Sequence, residues 1–366
     1  ICQLAGLGSS WGQMVVLALL VSAVLRATVA VAAAKVSWGS GEVHDARYSL
    51  FLQTTPHRGT TTDLPASALK SDDLDSQRKK PREQAKKAKG KRKPHVLLIL
   101  ADDYGWNDVG YHTDPNTVGY HNSANPDGNP VANAAAGIMK TPTIDRLANE
   151  GMKLENYYVQ PLCSPTRSTV MTGRYPSHTG IGPSVIVIYN PFGVPAKETM
   201  LPALLKDAGY ATHMVGKWHL GACDNRYEPT YRGFDSFMGY LAGGEGYYNH
   251  RSDFRNGSSA GETPFCMGGA VANNYSSTLF AGEVSRIVRA HDPDTPMFMY
   301  LAFQSVHNPY EDPIDSGVPG TDVNETFPEI VNPTRRIYAG MVAALDAGVA
   351  EVENAYKAAG MWDDTV

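Results

Sequence analysis

Val96-Leu97-Leu98-Ile99-Leu100-Ala101 is an unbroken apolar run that follows a long stretch without sustained apolar periodicity. A run of this kind predicts a strand buried on both faces, as in a parallel sheet. Ala211 to Val215 predicts a second, short strand, placed after a helix over Glu198–Ala208 that closes at Gly209. Pro296 to Phe303 predicts a third, following a helical stretch from about Ser277 to Ala290. A long amphipathic helix is expected from Pro333 to Ala359, with Gly360 as its stop. Strands alternating with helices in this order predict an α/β sandwich around a mostly parallel central sheet flanked by helices. No internal repeat is visible.

Upstream of His95 the pattern changes twice. Met14 to Ala34 is almost wholly apolar, interrupted by Arg26, and ends in Val-Ala-Ala-Ala. It predicts a signal peptide over 1–35, or a signal anchor in the membrane. Residues 36–94 predict a disordered, basic spacer. Within it, residues 78–93 hold ten Lys/Arg against one Glu, a charge of +9, so with a net charge of −5 the remainder carries −14. An acidic body is a poor nucleic-acid surface, and no nucleic-acid partner is expected. Three sequons, at Asn256, Asn274 and Asn324, agree with secretory entry and a lysosomal or extracellular location. Four cysteines do not make a disulfide scaffold; beyond Cys2 and Cys163, Cys223 and Cys266 form either a pair or two free thiols.

In open α/β sheets ligands bind beyond the carboxyl ends of the strands. Here the first strand runs into Asp102-Asp103, the second into Gly216-Lys217-Trp218-His219, and the third into Gln304-Ser305-Val306-His307. Two adjacent carboxylates suit a hard cation, Ca2+ or Mg2+, whereas Zn2+ wants His or Cys more densely. Cys163 stands just before a helix expected to begin near Pro165, a residue suited to the first helical position. Free N–H groups at such a helix start suit an anion. A thiol there is either activated or inert and buried. Arg167 lies one turn on, on the same helical face. Lys217 and His219 alternate along an extended chain and are expected to point the same way.

The run Cys163-Ser164-Pro165-Thr166-Arg167, closed by Thr172-Gly173-Arg174, resembles the signature of the type I, formylglycine-dependent sulfatases. Ala101-Asp102-Asp103-Tyr104-Gly105-Trp106-Asn107-Asp108, Gly216-Lys217-Trp218-His219-Leu220-Gly221 and Arg232-Gly233-Phe234-Asp235 extend the likeness, within that family, to the arylsulfatase B or N-acetylgalactosamine-4-sulfatase branch. The resemblance implies an alkaline-phosphatase-like α/β sandwich over 95–366, the N-terminal part of a catalytic domain. It implies hydrolysis of sulfate esters of small molecules or polysaccharides, with Ca2+ (or Mg2+) held by Asp102, Asp103 and the modified Cys163. It implies oxidation of Cys163 by a formylglycine-generating enzyme; the aldehyde hydrates to a diol whose one hydroxyl attacks sulfur while the second later expels sulfate. Arg167 would steady the nucleophile, Lys217 the sulfate and His219 a diol hydroxyl, with His307 beside the leaving-group oxygen.

Two departures from the family pattern stand out. Residues 113–140 are longer than the family's loop and read as an insertion. Trp362 to Val366 is where the family's next core strand begins, so a strand carrying an Asp-Asn pair, a second Lys and a small domain are expected beyond it. Two other readings stay open: an inactive sulfatase-like chain that binds sulfated glycans, and a phosphodiesterase of the same superfold.

Overall fold

The computed structural model describes residues 16–17, 92–113, 139–182, 184–251, 253–258, 271–318 and 321–366. The expected leader, apart from two residues, the spacer up to residue 91, most of the 113–140 insertion and Cys266 lie outside the described residues. Among the described residues no helix is long and apolar enough to cross a membrane.

The strands are β1 (Val16–Leu17), β2 (Val96–Leu100), β3 (Ala211–Lys217), β4 (Ser236–Tyr240), β5 (Phe254–Ser258) and β6 (Met297–Ala302). They form a sheet of order β1-β2-β6-β3-β4-β5, in which β2, β6, β3 and β4 are parallel and the outer two antiparallel. The three strands expected from apolar runs occupy the middle, where both faces are covered. β2 and β6 are buried along their whole length. The main helices are α1 (Pro142–Glu150), α2 (Cys163–Thr172), α3 (Leu201–Asp207), α4 (Ser276–Ala290) and α5 (Pro333–Ala358).

Three strands were not expected: the two-residue β1, which falls in the expected leader, and β4 and β5, which each have a reason. β4, Ser-Phe-Met-Gly-Tyr, contains Gly239, which reads as a breaker. In the sheet Gly239 faces Gly216 of β3, and a Cβ on it would lie 2.0 Å from the Gly216 carbonyl oxygen, so the backbones approach where only glycine fits. β5 is a polar edge strand without an apolar run. The helix expected over 198–208 is shorter, Leu201–Asp207, with Pro202 in its first turn.

One sheet face packs α1, α4 and α5 through Leu97, Ile99, Val215, Met299 and Leu301 in a continuous core. On the other, Phe234 stacks on Phe298 and Tyr300 at ring distances of 6.0 and 6.3 Å. α5 anchors more than its own surface. Its buried Asp346 accepts hydrogen bonds from the N–H groups of Ile144 (2.8 Å) and Thr143 (3.1 Å), supplying the N-terminal cap that α1 lacks locally. Near its start, Tyr338 Oη–H donates to Asp108 (2.8 Å), and Arg335 binds the same carboxylate. Asp108 ends the segment that begins with Asp102-Asp103, so α5 ties that segment down. The last residues lie alongside the start of β2: Leu97 N–H donates to the Val366 carbonyl at 2.8 Å and Val366 N–H to that of His95 at 2.9 Å.

Candidate active site

Because β2, β6, β3 and β4 are parallel, their carboxyl ends share one edge, and the hydrogen-bond ladders continue past the strands. Asp102 N–H donates to the Ser305 carbonyl (2.9 Å), and Val306 N–H returns the bond to Asp102 (2.7 Å). Trp218 N–H donates to Tyr240 O (2.9 Å) and His219 N–H to Leu241 O (3.2 Å). Backbone pairing thus sets Asp102 beside the segment that leads to His307, and His219 beside the loop after β4. Asp103 (φ 53°) and His219 (φ 59°) both adopt the left-handed region, a strained choice for these residues that turns the chain at the edge.

Cys163 is the first residue of α2, two residues earlier than Pro165 suggested, with Leu162 as N-cap. Gly173, in the left-handed conformation (φ 65°), closes the helix through its N–H to Thr169 O at 2.8 Å, which explains the Gly of the Thr-Gly-Arg ending. Cys163 is buried, and its Sγ–H donates to Asp102 Oδ1 at 3.6 Å. Burial, with the Asp102 charge beside it, pushes the thiol up from its ordinary range. As a thiol it is therefore protonated and a poor nucleophile.

Asp102 is the electrostatic centre. Its Oδ2 lies 2.5 Å from Lys217 Nζ and its Oδ1 3.3 Å from Arg167 Nη2, and all three side chains are fully buried. Burial alone would raise this carboxyl, but Lys217 and Arg167, with His307 further off, hold it well below the usual carboxylate range. Lys217, expected to face an anion, thus has a carboxylate as its partner here. Arg167 donates from Nη1 to Lys217 O (2.8 Å) as well, while its Nε is buried without a hydrogen-bond partner. The neighbouring Asp103 is exposed and differs in kind: partial burial and the Asp102 charge raise its carboxyl.

The two histidines are also distinct. His219 is buried, and burial together with Lys217 and Arg167 pushes it down to about 3, so its ring is neutral near pH 7. Its Nδ1 is buried with no partner among protein groups, a free acceptor. His307 donates from Nδ1 to the Asn308 carbonyl at 2.6 Å, and its Nε2 lies 3.7 Å from Asp103 Oδ2. Among the described residues, ligating atoms of Asp102, Cys163 and His307 lie within 4.8 Å of one another, whereas Asp103, expected from the sequence as a ligand, is not in that group.

All seven residues singled out from the sequence come to this edge. Residues 241–250, after the unexpected β4, were missed. A Cβ on Gly243 would lie 2.9 Å from the His219 ring, and one on Gly244 3.4 Å from the His307 ring, so this loop walls both histidines. The adjacent glycines after an aromatic-rich segment are the signal that marks such a close approach. Arg232 has a structural place: it donates to the carbonyls of Val194 (2.7 Å), Pro195 (3.3 Å) and Glu198 (3.0 Å). Cys223 is an exposed free thiol. The sequon residues Asn256, Asn274 and Asn324 are all exposed.

Comparison with known proteins places the chain in a family. The model of the Sulfatase family matches residues 94–366. Arylsulfatase J of Mus musculus is 38% identical over 288 residues, covering 76% of this chain and 42% of the relative. N-acetylgalactosamine-6-sulfatase of Homo sapiens is 30% identical over 233 residues, covering 59% of this chain and 40% of that one. The crystal structure of Ps i-CgsB superposes with a TM-score of 0.59 at 28% identity, over 75% of this chain and 57% of that chain. The chain spans about half the length of the curated relatives it matches. With the family match running from just before β2 to the last residue described, the chain belongs to the sulfatase family.

Proposed function

We propose that this chain carries the nucleophile side of a sulfate-ester hydrolase centre, with Cys163 converted to formylglycine by a formylglycine-generating enzyme. The observation that carries the reading is the gathering of Cys163, Asp102 and His307 within 4.8 Å at one sheet edge, over the buried cations Arg167 and Lys217. A buried, protonated thiol has little to offer there, whereas the hydrated aldehyde supplies a hydroxyl nucleophile and a second hydroxyl to expel sulfate.

The donor set fits a hard divalent cation, Ca2+ with Mg2+ as the alternative, since Asp102 and Asp103 offer carboxylate oxygens. They would hold it together with the oxygen that replaces the Cys163 sulfur, and when bound it supplies an acidified hydroxyl at moderate pH. Arg167 and Lys217 offset the Asp102 charge and make the edge attractive to a sulfate group. His219, neutral with a free Nδ1, accepts a proton from a hydroxyl at residue 163. His307, with Nδ1–H committed to Asn308, presents Nε2 as the atom that holds and donates a proton to the leaving alcohol.

The substrate belongs to the sulfated saccharides, with an N-acetylgalactosamine sulfate as the specific candidate. Support comes from relatives named for N-acetylgalactosamine-6-sulfate and from a similar structure solved in complex with k-i-k-neocarrahexaose. The reading includes passage through the secretory pathway to a lysosome or the cell exterior, supported by the exposed sequons at Asn256, Asn274 and Asn324. The test combines two measurements on the protein co-produced with the oxidising enzyme. Mass spectrometry should find the Cys163 peptide lighter by the change from thiol to aldehyde, and turnover should favour p-nitrophenyl sulfate over p-nitrophenyl phosphate. An unmodified peptide, or preference for the phosphate, would sink the reading.

A further inference from the structure

The loop after β4 contains a buried Glu–His pair and two tyrosine hydroxyls with no part in the chemistry above. Its first turn is fixed by Asp253, whose Oδ2 accepts from the N–H groups of Leu241 (2.8 Å) and Ala242 (2.9 Å). Its far end is fixed by His250, fully buried, with Nδ1 2.9 Å from Glu245 Oε1 and Nε2 2.8 Å from the Asn274 carbonyl. Both ring nitrogens face oxygens, an arrangement filled by an imidazolium beside a carboxylate or by a neutral ring beside a protonated Glu245. Glu245 is itself buried, so the pair is a rigid pin rather than a solvated contact.

From this pinned loop three bonds cross to the segment that carries His307. Gln304 Nε2–H donates to the Glu245 carbonyl. Tyr247 Oη–H donates to the His307 carbonyl at 2.8 Å. Tyr248 Oη–H donates to the Asp312 carbonyl at 2.9 Å. Ser276 Oγ–H locks the Gln304 side chain from the other end at 2.9 Å. The His307 ring is bonded to the Asn308 carbonyl, in the peptide between residues 308 and 309, so its direction follows the short stretch of backbone that runs on from residue 307. Tyr247 grips the start of that stretch at the His307 carbonyl, one peptide before the one that the ring bonds, and Gly244 lies against the ring.

We propose that Tyr247 is a positioning residue for His307: by holding the His307 carbonyl it keeps Nε2 aimed at the leaving-group oxygen, and the Glu245–His250 pair holds the loop that carries Tyr247. The proposal rests on the reading of His307 as proton donor in sulfate-ester hydrolysis. A misdirected donor harms poor leaving groups more than good ones, because only the former need the proton. Tyr248 makes an equivalent bond five residues further on and serves as control.

The test compares Tyr247→Phe with Tyr248→Phe in the full-length protein, on p-nitrophenyl sulfate and on a sulfated monosaccharide. Tyr247→Phe should lower kcat on the saccharide by about tenfold more than on the aryl ester, with KM unchanged, and Tyr248→Phe should leave that ratio at the wild-type value. Glu245→Gln, which keeps the side-chain shape, should give the same pattern and stands in if Tyr247→Phe does not fold. An equal loss on both substrates, a loss confined to KM, or the same shift of ratio from Tyr248→Phe overturns the proposal. If the wild-type protein hydrolyses neither ester, the functional reading fails on its own. The His307 Cε1–H resonance then decides: displacement in Tyr247→Phe but not in Tyr248→Phe upholds the positioning role, and any other result ends it.

Discussion

Asp102 sits with no solvent contact between two cations that are themselves out of water. Such a cluster survives only because each charge is matched, and removal of one member leaves the others uncompensated in low dielectric. Arg167→Met should therefore destabilise the folded protein by about 3–5 kcal/mol, read from urea unfolding midpoints at neutral pH. A loss of under about 1 kcal/mol would mean that Lys217 alone satisfies the carboxylate. Cys163 supplies a second expectation at this scale. In protein made without the oxidising enzyme, burial keeps its thiol protonated, while Cys223 is exposed. Thiol titration with an aromatic disulfide reagent should label Cys223 at once and Cys163 only on unfolding. Rapid labelling of Cys163 in the native protein would contradict the burial seen at the start of α2.

Whole elements show where sequence reasoning succeeds and where it stops. The apolar runs at 96–101 and 296–303 correspond to β2 and β6, because a strand covered on both faces has no alternation to obscure it, and the shorter stretch 211–215, which includes Thr212 and His213, corresponds to β3. Their polar ends correspond to the candidate site, since parallel strands share one carboxyl edge. β4 and its loop stayed hidden because Gly239 and the Gly243-Gly244 pair mimic turn signals, and their purpose, close approach to Gly216 and to two imidazoles, exists only after the chain has folded. Of the partners of Arg167, the Asp102 carboxylate follows from its place one turn after Cys163, whereas the Lys217 carbonyl, on a strand far away in sequence, was out of reach. The cap of α1 belongs to the same class. Thr141 precedes the helix but makes no cap bond, and Asp346 of α5 does the work across the core. Asp346→Ala should destabilise by about 1–2 kcal/mol and raise amide exchange in the first turn of α1. Unchanged exchange at Thr143 and Ile144 would rule out that cap.

For the molecule as a whole, histidines that fold in their neutral form contribute a loss of stability in acid. His213 on β3 is half-buried beside Ser236, with Nδ1 2.7 Å from the hydroxyl, and faces Asp235, His291, Glu283 and Arg286. Burial, only partly countered by Asp235, pushes it down from 6.5 to about 4. His219 at the active edge is pushed further, to about 3. In the unfolded chain both rings take up a proton near pH 6.5, whereas in the folded protein they resist it. At these two rings the unfolded state therefore binds more protons in this window, and the stability they contribute is fully present above about pH 6.5 and falls as the pH drops toward 4. Each such ring contributes a slope of about 1.4 kcal/mol per pH unit within its window. His213→Gln retains a partner for Ser236 but cannot titrate, so it should remove one ring's share of that slope between pH 6.5 and 4 while leaving the active edge untouched. Parallel thermal unfolding curves of wild type and His213→Gln across that range, with no difference in slope, would show that His213 is as easily protonated folded as unfolded.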